Sequence, residues 1–392
     1  MMEKLQDILI GKKKKKILSL DIGTEAIKLM TFDKDKRLVV SELNLEYFDQ
    51  YGVFDGQNFG SEVIKKGISR VLANLKDKND FSEIIISLPP NVLKAKVVLE
   101  VLERKKGEEI INEKEEKTIF KLILERAKEK FQKEWQIYTG LLERDIHFLN
   151  FKILEIKIDG YRVPCLKGYR GKSLEFKIFF TFLTDEYFRI FEKVFQEIKF
   201  KKIKIFHLGE GLIAYLKNFD YFPDSLFFDF GGEISQYFLV KNKTLEAVGE
   251  LFLGTKFFSQ ILSEKLRIKL DDARILKEKY ARGEFSSETA ARFRQFFDEG
   301  IDFWIESFRK ELDKNLLPSS FFQDIYIFGG GAFLPAIKES LEKIVNEESF
   351  VNRVSTVRFF LPEELKEVKT ENILQYVPCF LIALCSNNKK IF

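Results

Sequence analysis

Three short stretches of the sequence carry residue types that handle phosphate. The first, SLDIGTEAIK, ends an apolar run with Asp21, turns at Gly23 and offers Thr24 with its hydroxyl and backbone N–H. Lys28 falls in the following run, where its ammonium can reach the same turn. Phosphate oxygens are held by N–H donors and a cation, and an acidic side chain beside them holds hydrated magnesium. The second stretch, FDFGGEISQ, repeats the plan with Asp229, Gly231 and Gly232, so Asp21 and Asp229 are the candidate metal ligands. The third, IYIFGGGAFLP, sets Gly329, Gly330 and Gly331 between an apolar run and a helical pattern. Backbone bare of side chains can lie flat against a nucleoside. Each stretch alone is also what an ordinary turn in an α/β protein looks like. Their order, each after an apolar strand, makes the set harder to dismiss: two candidate phosphate loops followed by a candidate nucleoside loop.

One residue disturbs it. Glu233 stands where the second turn would keep a third glycine. A carboxylate ~4 Å from a terminal phosphate repels it by about 4 kcal/mol at an effective dielectric near 20. Either the side chain turns away, or magnesium offsets it, or nucleotide binds weakly; the expectation is binding with slow turnover at most.

The turns need strands and helices to hold them. ILSLDIG, AIKLMTFD and LVVSELNL read as successive strands, and GSEVIKKGISRVLANLK as an amphipathic helix with Val63, Ile64, Ile68, Val71 and Leu72 at helical spacing. EIIISLPP is a strand closed by prolines. The next segment differs in character: the charged ERKKGEEIINEKEEKT, expected as a solvated loop and helix start, then the helix IFKLILERAKEKFQKEW and the strands IHFLNFKILEIKI. LEFKIFFTFL, DEYFRIFEKVFQEIK and KIKIFHL follow as strand, helix and strand. From about residue 223 the chain reads as consecutive antiparallel strands, then a helical tract, then DIYIFGGGA leading into the helix LPAIKESLEKIV. The two halves share one plan, which implies two related lobes with a cleft between them.

Bulk properties agree with a soluble protein of more than one domain. The chain has 392 residues, 45% of them hydrophobic and 32% charged, with a net charge of +4 that gives no argument for nucleic acid. Three cysteines without a C-x-x-C spacing and two histidines point away from zinc and toward a reducing cytosol. No apolar run approaches the ~20 residues that span a bilayer. The start, MMEKLQDILIGKKKKK, places Met1, Leu5 and Ile8 on one helical face before five lysines. It is either a solvated leader or a peripheral contact with an anionic membrane.

The ordered triple resembles the actin-like ATPase superfamily, and within it the FtsA family of cell division and its relative, the PilM family of type IV pili. The resemblance covers about residues 16–384. DGYRVPCLKGYRGKSLEF is similar to an FtsA segment with a proline and two glycines, here Pro164, Gly168 and Gly171, and LDDARILKEKY resembles an A-E-x-x-K signature. It implies an α/β fold of two actin-like lobes with ribonuclease-H-like halves and a small α+β subdomain inserted in the first lobe. The first lobe would take residues 17–88 and 176–220, the inserted subdomain 89–175 and the second lobe 221–392. Within the second lobe a helical, adenosine-side part would run from about 255 to 320, and residues 1–16 would be the leader.

The resemblance further implies ATP and Mg2+ bound by Asp21, Gly23, Thr24, Lys28, Asp229, Gly231, Gly232, Gly329, Gly330 and Gly331, with Lys277 as the ribose-side lysine. Glu210 is either a carboxylate that orients the attacking water or a helix-capping carboxylate. Arg274 stands where the signature has its glutamate, which puts the ribose contact in doubt. The main expectation is an FtsA-like filament-forming adaptor, cytoplasmic and peripheral to the inner face of the membrane, with an FtsZ-like tubulin homologue as partner. The alternative is a PilM-like scaffold binding a peptide of a pilus inner-membrane protein. The sequence closes on LIALCSNNKKIF, short of the C-terminal amphipathic helix of FtsA, and this favours the alternative. A superfamily kinase ranks third, since no acid or base beyond Glu210 presents itself.

Overall fold

The structure is a computed structural model and describes residues 15–34, 37–54, 60–76, 81–140, 145–198, 200, 202–315, 322–346 and 356–387. Of the expected leader, only Lys15 and Lys16 are among them, as the start of a strand; its amphipathic helix lies outside the described residues.

The described strands form three sheets. In the first, β1 (Lys15–Ile22) pairs antiparallel with β2 (Ala26–Lys34), which pairs with β3 (Leu38–Tyr47). On its other side β1 runs parallel to β4 (Phe81–Ser87), and β4 to β9 (Ile203–Ile205). Residues 17–22 are all buried, as expected of a central strand covered on both faces. Helix α1 (Ser61–Ala73) packs Ile64, Ile68 and Val71 into one of those faces.

The second half repeats the topology. Strands β10 (Ser225–Asp229), β11 (Ser235–Lys241) and β12 (Thr244–Leu251) are antiparallel neighbours, and β13 (Asp324–Phe328) and β14 (Thr356–Phe359) continue parallel from β10. FDFGGEISQ is therefore a hairpin turn between β10 and β11, just as SLDIGTEAIK is the turn between β1 and β2.

The third sheet, in the order β5-β8-β6-β7, holds β5 (Lys94–Glu103), β6 (Ile146–Ile158), β7 (Tyr161–Arg162) and β8 (Ser173–Thr184). The expected boundary at 175 falls inside β8, because this apolar strand pairs along its length with β5 and β6 before the chain returns to the first lobe. Helix α2 (Glu113–Thr139) covers the sheet with Ile119, Ile123, Ala127 and Phe131, four residues apart on one face. Asn112 caps its start, accepting the Glu115 N–H at 3.0 Å, and Gly140 at φ +72° ends it. Most of the charged run before it is the solvated loop and helix start that its composition implies, but Arg104 is buried, donating to the Gly171 carbonyl at 2.8 Å and to Glu115 at 3.0 Å.

Ion pairs tie this subdomain to the second lobe: Lys94 to Glu250 and Lys177 to Glu246, both at 2.5 Å, while Arg162 donates to Thr244 at 3.0 Å. Helix α3 (Asp185–Glu197) leads back into the first lobe, and α4 (Leu208–Leu216) crosses α9 (Val377–Leu384) between the lobes. A Cβ on Gly211 would stand 2.5 Å from the backbone of Leu381, so only glycine permits that crossing. In the helical part of the second lobe are α5 (Lys256–Leu266), α6 (Leu270–Ala281) and α7 (Ser287–Asn315), with α8 (Pro335–Asn346) after β13.

Candidate functional site

Strand register explains how the first motif assembles. Asp21 sits opposite Lys28 across β1–β2 and beside Ser87 across β1–β4. Its carboxylate accepts from the Lys28 ammonium at 3.1 Å and from the Ser87 hydroxyl at 2.7 Å. Burial opposes the Lys28 charge, yet Asp21, with a smaller contribution from Asp229, holds its pKa above the ordinary value. Asp229 ends β10, where burial, then the nearby Asp21 charge, push its carboxyl up to about 7 against the pull of Lys28. The glycine stretch packs on this pair: Gly329, at φ +89°, has no room for a Cβ against Asp229 and Phe230, and the Gly331 N–H donates to the Phe230 carbonyl at 3.0 Å.

The structure thus gathers the three motifs, but it brings them into direct contact. The Glu233 N–H donates to the Thr24 hydroxyl at 3.0 Å, and a Cβ on Gly232 would lie 2.5 Å from Cγ of Glu25. Glu233 turns its side chain to Lys256, 2.7 Å away, the first of the three arrangements open from the sequence. Lys277 is buried, donating to the Thr255 hydroxyl at 3.2 Å and lying 3.5 Å from Glu25 and from Glu278. Arg274 donates to the Phe48 carbonyl at 3.2 Å and covers the rings of Tyr47 and Tyr51, so it grips the first lobe.

These contacts test the fit of ATP and magnesium. The Gly23 N–H is bonded to the Ala26 carbonyl at 2.9 Å, and the N–H groups of Thr255 and Lys256 to Gly231 and Gly232 at 3.0 and 2.7 Å. The buried Oε1 of Glu25, at the junction of the two loops, has no hydrogen-bond partner and is an acceptor, which repels phosphate. Among the described residues no group of three or more His, Cys, Asp or Glu is placed to hold a metal. As paired here, the residues at this junction do not fit ATP–Mg2+. Acidic and basic side chains pair with one another at the junction of the motif turns.

Glu210 also resolves. Its Oε2 accepts the His207 N–H at 3.0 Å, while Nδ1 of His207 accepts the Gly209 N–H at 3.0 Å, a reciprocal cap on α4. Asn150 reaches it from the inserted subdomain at 3.3 Å and Lys152 lies 3.9 Å away. Of the two roles open to Glu210, the structure displays the capping one. Burial raises its pKa from 4.5 to about 7, with Lys152 and the cap opposing, whereas burial lowers that of His207 from 6.5 to about 3.

The folded protein keeps a proton on Glu210 that the unfolded chain releases, so this stabilisation is whole below pH 4.5 and is lost as pH rises through about 7. It amounts to roughly 3 kcal/mol. The unfolded chain takes up a proton on His207 that the folded ring refuses, so that contribution moves oppositely, growing from about pH 3 to 6.5. Glu210→Gln keeps the cap and removes the first effect. Its urea midpoint should therefore climb more steeply than that of the wild type between pH 4.5 and 6.5. Equal slopes would show that Glu210 does not hold the proton.

A second concavity was not legible from any motif. A groove of about 1460 Å³ runs between β6, α3, the β9–α4 junction and the turns at 220–224 and 242–245 of the second lobe. Register shifts in β6 near Phe148 and Ile153 orient the strand for both roles. Phe148 and Ile153 join the subdomain core, while Asn150 bonds to the Ile205 carbonyl at 2.9 Å and Lys152 to the Glu210 carbonyl at 3.4 Å. Phe188, Phe195, Phe200 and Phe206 line the groove with Lys152 and Lys217. Burial, then Lys152, depress the Lys217 pKa.

No family model matches the sequence, and no curated protein matches it. Among solved structures, the PilM–PilN type IV pilus biogenesis complex is similar at 16% identity, covering 94% of this chain and 96% of that one, with a TM-score of 0.67. The fold is actin-like. The ethanolamine utilization protein EutJ from Carboxydothermus hydrogenoformans is similar at 12% identity over 98% of this chain and 96% of its own, with a TM-score of 0.50. A Bacteroides thetaiotaomicron protein described as having an actin-like ATPase fold lies further off, at 8% identity over 89% and 92%, with a TM-score of 0.40. The repeated sheets of this chain agree with a two-lobed actin-like fold. Among the described residues no helix is long and apolar enough to cross a membrane.

Proposed function

We propose that the protein is a PilM-like cytoplasmic scaffold, held at the inner face of a membrane by gripping a short segment of a membrane-anchored partner. The observation that carries this is the groove of about 1460 Å³ walled by phenylalanines. It is larger than the ~300–1,000 Å³ of a small-molecule pocket and suits a peptide. Aromatic walls supply apolar anchoring, and Lys152 and Lys217 favour a carboxylate in the bound segment. The likeness in fold to a protein solved in complex with PilN supports this reading over the FtsA-like one.

The test uses synthetic cytoplasmic tails of the membrane proteins encoded beside this gene, titrated by fluorescence anisotropy. One tail should saturate the protein with a Kd on the order of 1 μM, about 8 kcal/mol. Saturation instead by the C-terminal tail of a tubulin homologue, with none of the membrane tails binding, would return the FtsA-like reading.

A further inference from the structure

We infer that the cleft between the two lobes is a self-occupied latch, in which the Glu25 carboxylate on Lys277 takes the place of an anionic ligand and holds the lobes closed without nucleotide. Glu25 follows Thr24 in the first turn, and Lys277 lies on α6 of the second lobe, so their contact at 3.5 Å joins the lobes. Both side chains are less than a tenth exposed.

Lysines that could meet a phosphate already face carboxylates: Lys28 holds Asp21, Lys256 holds Glu233, and Lys277 lies between Glu25 and Glu278. An anion would have to displace these pairs and sit against the unpartnered oxygen of Glu25. Removing Glu25 leaves Lys277 with Glu278 of its own helix and breaks the contact that joins the lobes, whereas an apolar replacement of both Glu25 and Lys277 is tolerated. That asymmetry separates a latch from a chance contact. The inference is independent of the groove, which lies on other elements.

The experiment has two arms. Wild-type protein is heated with Mg-ATP or Mg-ADP at about 5 mM, a hundredfold excess over a ~50 μM site, and equilibrium dialysis measures bound nucleotide. The expected result is an unmoved melting midpoint and no saturable binding; a rise in midpoint with saturable binding would overturn the inference. In the second arm, Glu25→Ala should speed hydrogen exchange at residues 23–26 and 255–258 by tenfold or more. The double variant Glu25→Leu with Lys277→Met should restore slow exchange. If Glu25→Ala does not fold, a folded, slow-exchanging double variant carries the same conclusion. Unchanged exchange in Glu25→Ala, or fast exchange in the double variant, would overturn it.

Discussion

Replacing Phe200 and Tyr221 together with alanine is expected to weaken binding of the partner tail about 100-fold, ~3 kcal/mol. Both residues line the groove from opposite sides: Phe200 at the end of the α3 segment, and Tyr221 in the turn before β10. Tyr221 is 73% exposed, so its ring gives little to the folded monomer but is available to a ligand. Phe200 is only partly buried, and its rim position makes it an anchor that a peptide can desolvate. Anisotropy with the same tail reads the loss directly. An affinity within a factor of three of wild type would mean that the tail docks elsewhere.

The second large effect concerns the subdomain that forms one groove wall. Phe131→Ala should destabilise the protein by about 3–5 kcal/mol, the cost of removing a large buried aromatic side chain and leaving a cavity. Phe131 is 2% exposed and lies at the centre of a ring cluster, with centroids 4.6 Å from Phe182, 4.9 Å from Phe180 and 6.0 Å from Phe148. Phe148 belongs to β6, so the cavity loosens the strand that presents Asn150 and Lys152 to the groove. The denaturation curve should show this subdomain melting first, and tail affinity should fall with it. A cost below about 1 kcal/mol would show that the cluster collapses to fill the space.

The strands and helices were largely legible because their periodicities are clean. The run IHFLNFKILEIKI, expected as strands, is the single strand β6, and the helix expected from IFKLILERAKEKFQKEW starts earlier, at Glu113. Less legible was the edge of the inserted subdomain, since nothing within LEFKIFFTFL marks where pairing with β5 ends and the first lobe resumes. The motif turns were visible in the sequence, yet what their side chains touch depends on partners far away in it. Glu25 lies inside the quoted SLDIGTEAIK, but its meaning comes from Lys277, which folding brings to it from the second lobe. Glu233 was visible as an anomaly, and only the α5 start at Lys256 shows where its carboxylate goes. The groove left no local signature, because it is made from residues of widely separated segments.

Hydrogen exchange on the full chain, with and without a saturating partner tail, tests the scaffold reading most directly. The predicted result is slowed exchange confined to residues 149–154, 188–196, 200, 203–213, 220–224 and 242–245, the groove walls, with the cleft turns at 21–25 and 229–233 unchanged. Protection at those cleft turns, or on the second lobe with the groove unaffected, would contradict the account.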